Sequence, residues 1–174
     1  MSKPTALHVT LRVASHVWNL RSRRCFDVIE GSLAEARERF GLRVVEFSVM
    51  ADHLHLFVEA DSNLALSRGM QGLRVRIARG LNRLMGRRGA VFADRYHARV
   101  LGSPIELVNA MAYVLGNAAH LYGSEGADAF SSTAYDPEKR QRVLSCPRTW
   151  LLIAGWRRAR PAPLDVPLHV SAAA

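Results

Sequence analysis

His53 and His55 stand one residue apart in the run Asp52-His-Leu-His-Leu-Phe-Val-Glu59. A strand sends alternate side chains to one face, so both imidazoles project together, close enough to share one ion. Leu54, Leu56 and Val58 then turn to the other face as core. Two neutral imidazoles form a partial site for a divalent metal. A third ligand and a nucleophile would make it an active site, and Asn117 and Tyr113 are the candidates. On a helical wheel Glu106, Asn109, Tyr113, Asn117 and His120 share a narrow stripe, opposite Leu107, Met111, Val114, Leu115 and Ala118. An amide oxygen and two imidazoles can hold a hard or borderline divalent ion with positions left open for a phosphate oxygen. A phenol one turn away can attack the phosphorus once deprotonated. The resulting ester keeps the energy of the broken bond, so a second strand can be joined without ATP. The plainer reading of Tyr113 is an amphipathic surface residue.

The elements that must position these groups follow from pattern. His8–Val13, Arg43–Val49, His53–Ala60 and Arg95–Leu101 read as strands. Arg24–Phe40 reads as a helix, with Phe26, Ile29, Leu33, Ala36 and Phe40 at helical spacing and Gly41 as the stop. Leu64–Gly86 is a second helix, weakened by Gly69, Gly72 and Gly80 at about 1 kcal/mol each relative to alanine. Ser103-Pro-Ile-Glu106 is a capping box opening a third helix that runs to about His120. The order βαββαβ predicts a ferredoxin-like antiparallel sheet in the α+β class, with one helix added. After Tyr122 the chain becomes loop-like. Thr149–Trp156 is an apolar segment expected to dock on the core, and Arg160–Ala174 reads as an extended Pro-rich tail.

The 174 residues suit one domain with an extension. The net charge of +9 rests almost wholly on arginine, since Lys3 and Lys139 are the only lysines. Such an excess favours an anionic polymer, nucleic acid before membrane, and arginine forks onto phosphate with two bonds. Cys25 and Cys146 make no disulfide framework or zinc spacing, and no signal peptide or membrane span is visible, so the expected location is the cytoplasm.

Four stretches together resemble the single-tyrosine HUH (His-hydrophobic-His) transposases, and most closely their REP-associated branch. They are His8-Val-Thr-Leu-Arg12, Met50-Ala-Asp-His-Leu-His55, Phe92-Ala-Asp-Arg-Tyr-His97 and Tyr113-Val-Leu-Gly-Asn117. The resemblance places the family's metal histidines on His53 and His55, its nucleophile on Tyr113 and its polar ligand on Asn117. It divides the chain into a catalytic domain over 1–122 and a C-terminal extension over 123–174. It implies Mg²⁺ or Mn²⁺, single-stranded DNA carrying a hairpin or palindromic repeat, and a 5′-phosphotyrosine intermediate. Glutamine is commoner than asparagine at the third ligand in the insertion-sequence branch; asparagine is typical of the REP-associated one. Insertion-sequence relatives can exchange the tyrosine helix between two subunits, whereas REP-associated ones tend to be monomeric, so both monomer and dimer stay open. Where that branch often carries a proline-containing turn, this chain continues Ala118-Ala119-His120. His120 is therefore a rival ligand or an outer partner of the site.

Around this centre, Asp52 is placed to orient an imidazole, or it simply makes the turn. Glu59 is expected to end its strand in solvent. Arg76, Arg79 and Arg83 share one side of the second helix at a spacing suited to a phosphate backbone. Arg74, Arg12, Arg95 and His97 are further contacts for nucleic acid, and Tyr96 is a core ring or a base-stacking one. Tyr96 and Tyr122 are the other candidate nucleophiles. A histidine-triad hydrolase is excluded by Phe57, and a zincin by the absence of His-Glu-x-x-His. Two readings compete with a DNA transesterase. One is a domesticated hairpin DNA- or RNA-binding protein that does not cut. The other is a phosphodiesterase using water as nucleophile.

Overall fold

The computed structural model describes residues 3–122 and 126–159, and of residues 117–120 the backbone alone. Four antiparallel strands, β1 (Thr5–Arg12), β2 (Leu42–Val49), β3 (His53–Ala60) and β4 (His97–Val100), form one sheet in the order β2-β3-β1-β4. With α1 (Arg23–Ala36) and α2 (Asn63–Leu84) as the crossovers, this is the ferredoxin-like arrangement that the sequence pattern predicts.

Alternation divides the sheet into two unlike faces. Leu7, Val9 and Leu11 of β1 and Leu54, Leu56 and Val58 of β3 pack beneath α1 and α2, against Phe26, Ile29, Met70, Leu73 and Ile77. On the other face, Ala6, Val45, Phe57 and Leu101 meet Leu107, Met111, Val114 and Leu115 of α3 (Pro104–Tyr122). A bulge between Val44 and Glu46 gives β2 one extra residue. It lets Val45 serve the α3 face while Phe47 and Val49 stay in the main core.

α3 starts where the capping box predicts. The Glu106 N–H donates to Ser103 Oγ at 3.3 Å, and the Glu106 carboxylate accepts the Gly102 N–H at 2.8 Å. Two expectations need correction. The first helix stops at Ala36, not Phe40, because Glu38 and Phe40 take left-handed angles (φ 55° and 59°). The fourth strand is only four residues long, so Arg95 and Tyr96 lie outside it. Val13 bridges Phe92 and the Ala93 N–H donates to the Arg12 carbonyl, after which the chain bends away. Pairing with β1 resumes only at His97 opposite Thr10.

The glycines of α2 are contact points. A Cβ on Gly80 would stand 2.4 Å from Val28 Cγ1, and one on Gly69 2.4 Å from Leu42 Cβ. Alanine at either site is expected to destabilise by about 1–3 kcal/mol, outweighing its gain of about 1 kcal/mol in helix propensity. Urea melts check this, and Val28→Ala should recover much of the loss in Gly80→Ala.

Residues 126–159 are folded against the body. Phe130 and Ser131 pair with the end of β2, and the Ser145 N–H donates to the Val44 carbonyl, so the free edge of β2 is covered. α4 (Pro137–Val143) is a helix the sequence reading did not anticipate, although its Asp136-Pro137 start is a cap signature. Α short helix, α5 (Trp150–Ile153), leads into a 3₁₀ turn over Gly155–Arg158. Leu152 enters the cluster beneath α3. The Pro-rich tail expected from residue 160 lies outside the described residues. No helix among them is long and apolar enough to cross a membrane.

Candidate active site

His53 and His55 occupy β3 on the α3 face of the sheet, as alternation requires. The Nε2 atoms of the two rings are 3.1 Å apart. Nδ1 of His53 donates to Asp52 Oδ1 at 2.7 Å, and Asp52 in turn meets the Arg12 guanidinium at 3.5 Å. Nδ1 of His55 has two neighbours from β1, His8 Nε2 at 3.0 Å and Thr10 Oγ1 at 3.3 Å. The register makes this neighbourhood: Thr10 stands opposite His55, and Arg12 opposite His53.

This donor set fits a divalent ion. With both protons on the Nδ1 atoms, both Nε2 lone pairs are free to point to one place. Two adjacent ligands of an octahedral ion at about 2.1 Å are separated by about 3.0 Å, close to the observed spacing. Asp52 on the outer nitrogen of His53, and His8 and Thr10 as groups able to accept from that of His55, fit the usual pattern of a histidine metal site. Among the described residues no third His, Cys, Asp or Glu joins the pair as a ligand. The side chains of Asn117 and His120, the third-ligand candidates, lie outside the described residues.

Burial, and then the charges of His53 and His8, push the His55 pKa down to about 4. Burial and the charge of Arg99 lower that of His8. An unfolded His55 titrates near 6.5, so between pH 6.5 and 4 the unfolded chain takes up the proton and the folded one does not. Stability therefore falls as the pH drops through that window. The expected loss is on the order of 1–2 kcal/mol after solvent screening. Urea melts with EDTA at pH 7 and pH 4.5 should differ less in His55→Asn than in the wild type.

α3 lies on the histidine face, yet Tyr113 points away from the sheet. Its side chain is 64% exposed, on the side of the helix opposite Met111 and Leu115. No hydrogen bond among the described residues joins its hydroxyl to the imidazoles. The Tyr122 hydroxyl accepts the Ala51 N–H at 3.3 Å, in the turn that leads into the histidine strand. Arg21 lies over the Tyr122 ring at 3.9 Å and pairs with Asp128 at 2.7 Å. Tyr122 is thus held at the mouth of the β2–β3 turn.

The basic residues divide by location. Arg12 and His97 flank the histidines on their own face, with Arg99 opposite His8. Arg74, Arg95 and Tyr96 line an open groove between α2 and residues 89–98. Within it Arg74 donates to the Asp94 carbonyl at 2.7 Å and covers the Phe92 ring. Arg76, Arg79 and Arg83 line another groove between α1 and α2. That groove lies across the sheet from the histidines, because α1 and α2 cover the opposite face.

Sequence reasoning missed His8, Thr10 and Arg99. The signal was present: His8, Thr10 and Arg12 alternate with Leu7, Val9 and Leu11, and the fold seats β1 beside β3. Glu59 corrects a further expectation. It is fully buried, not in solvent, and accepts from Arg43 Nε at 3.1 Å and from the Arg148 and Thr149 N–H groups at 2.7 Å each. The segment that encloses it arrives from 89 residues further along the chain.

A family model described as "Transposase IS200 like" matches residues 5–117. Among solved structures, a REP-associated tyrosine transposase bound to a REP hairpin superposes with a TM-score of 0.60 at 9% identity. The match covers 74% of this chain and 76% of that one. A candidate transposase from Deinococcus radiodurans R1 has 17% identity and a TM-score of 0.48 over 59% of this chain and 82% of its own. No curated protein matches the chain.

Proposed function

The chain belongs to the IS200-like transposase family, and from that premise we propose that it cuts and rejoins single-stranded, hairpin-bearing DNA through a tyrosine. The observation that carries this reading is the His53–His55 pair, its Nε2 atoms 3.1 Å apart and its outer nitrogens engaged by Asp52, His8 and Thr10. A domesticated binding module has no use for such a pair.

In this reading His53, His55 and Asn117 would hold Mg²⁺ or Mn²⁺. When bound, the ion supplies Lewis-acid stabilisation of charge on the scissile phosphate. The Tyr113 oxygen attacks phosphorus, the bond to the 3′ oxygen breaks, and the phenolic proton is passed on to that leaving oxygen. The products are a 5′-phosphotyrosine and a free 3′ hydroxyl. A second 3′ hydroxyl reverses the step and joins a new strand. In the same reading Arg12, His97 and Arg99, which flank the histidines, hold the strand. Arg74, Arg95 and Tyr96 form one more contact surface, and Arg76, Arg79 and Arg83 another for the duplex stem. The outward Tyr113 must come to the histidines by rotation of α3 or from a second copy of the chain. The resemblance to the REP-associated branch favours a monomer with a repeat hairpin as its substrate.

The test is incubation of the full chain with a hairpin oligonucleotide and Mn²⁺, followed by denaturing electrophoresis. Peptide mass spectrometry then locates any covalent adduct. An adduct on Tyr113 supports the reading. An adduct on Tyr122, whose hydroxyl lies beside Ala51, moves the nucleophile. Tight, chelator-independent binding without an adduct favours the non-cutting module.

A further inference from the structure

We propose that His8 is a positioning residue for His55: it accepts the Nδ1 proton that His55 carries when its Nε2 lone pair is given to a metal. The inference rests on the metal-site reading above and adds to it a third imidazole with a different task. His8 Nε2 meets Nδ1 of His55 at 3.0 Å, whereas His53 meets Nε2 on the far side of the same ring at 3.1 Å. His8 therefore cannot bind the ion that His53 and His55 share. What it can do is accept the His55 Nδ1 proton.

Three observations hold His8 to that task. Its ring stacks on Phe57 with centroids 5.1 Å apart and an interplanar angle of 18°, which holds the ring plane in line with His55 Nδ1. Thr10 Oγ1 lies at 3.3 Å from the same His55 nitrogen, but a hydroxyl can donate as readily as accept. It would stabilise either tautomer of His55. Asp52 does the equivalent work for His53 at 2.7 Å, so each imidazole has its own outer acceptor. An imidazole that carries its proton on Nδ1 accepts at Nε2 and has no second tautomer to offer there without donating. His8 plays this part with its own proton on Nδ1, the tautomer that metal binding at His55 Nε2 selects.

Loss of an outer partner of a metal histidine typically weakens metal binding about 10–100-fold. In His8→Phe the stack on Phe57 can persist while the acceptor is gone. In His8→Gln the side-chain amide oxygen offers an acceptor again. Mn²⁺ affinity is measured by electron paramagnetic resonance of the free ion, and the His8 tautomer in Mg²⁺-loaded protein by long-range ¹H–¹⁵N spectra. The expected result is Nδ1–H at His8 in the loaded wild type, Mn²⁺ binding about 10–100-fold weaker in His8→Phe, and largely recovered binding in His8→Gln. Unchanged affinity in a folded His8→Phe, or equal loss in both variants, overturns the proposal. So does an Nε2–H tautomer of His8 in the Mg²⁺-loaded wild type, which settles the point even if His8→Phe does not fold. A wild-type chain that binds no Mn²⁺ overturns the metal reading, and this proposal with it.

Discussion

Tyr113→Phe is expected to form no covalent adduct with hairpin DNA and to lose strand joining by at least about 10³-fold, while DNA binding stays within about twofold. In the proposed reaction the change removes the one atom that attacks phosphorus. It removes little else, because the ring is largely exposed and its hydroxyl makes no hydrogen bond among the described residues. Stability should therefore be unchanged, which separates a chemical loss from a folding one. Tyr122→Phe is the contrasting variant. It loses the contact to the Ala51 N–H but leaves the ring under Arg21, so it should keep the adduct. A full yield of adduct from Tyr113→Phe sinks the nucleophile assignment. The outward Tyr113 gives the same assay a second use. Tyr113→Phe mixed with His55→Ala regains cleavage if one copy's helix serves another copy's histidines, and stays inactive if each chain serves itself.

Replacing Glu59 by alanine is expected to cost about 3–5 kcal/mol, the range for breaking one side of a buried ion pair. That is a large part of the roughly 5–15 kcal/mol of a typical domain. Glu59 and Arg43 are both almost wholly buried, and Arg43 also reaches Asp61 at 2.6 Å. The same carboxylate accepts two backbone N–H groups and the Thr149 hydroxyl at 2.5 Å. Without it, Arg43 loses its buried partner and the start of α5 loses its anchor. Leu152 and Trp156 follow directly and pack beneath α3, so the fault should spread to the helix that bears Tyr113. Differential scanning calorimetry measures the loss. Glu59→Leu combined with Arg43→Met should recover much of it, because an apolar pair of similar volume replaces a buried ion pair at little cost. A change below about 1 kcal/mol in Glu59→Ala would show that the clamp is incidental.

The fold and half of the candidate site are written in local pattern. Period-two alternation alone puts His53 and His55 on one face with Leu54 and Leu56 on the other. The cap at Ser103-Pro104-Ile105-Glu106 alone starts α3, and the order of elements yields the sheet. These features depend on neighbours a few residues apart, so they survive without knowledge of the rest of the chain. What the tertiary structure decided involves partners distant in sequence. His8 reaches His55 across 47 residues because β1 pairs with β3 in one register. Glu59 is buried because a segment 89 residues later closes over it. Arg76, Arg79 and Arg83 share a helix side, as their spacing predicts, but the sheet between them and the histidines makes that side a separate surface. The direction of Tyr113 belongs to the same class: periodicity places it on the polar stripe of α3, and only the packing of Met111 and Leu115 on the sheet turns that stripe outward.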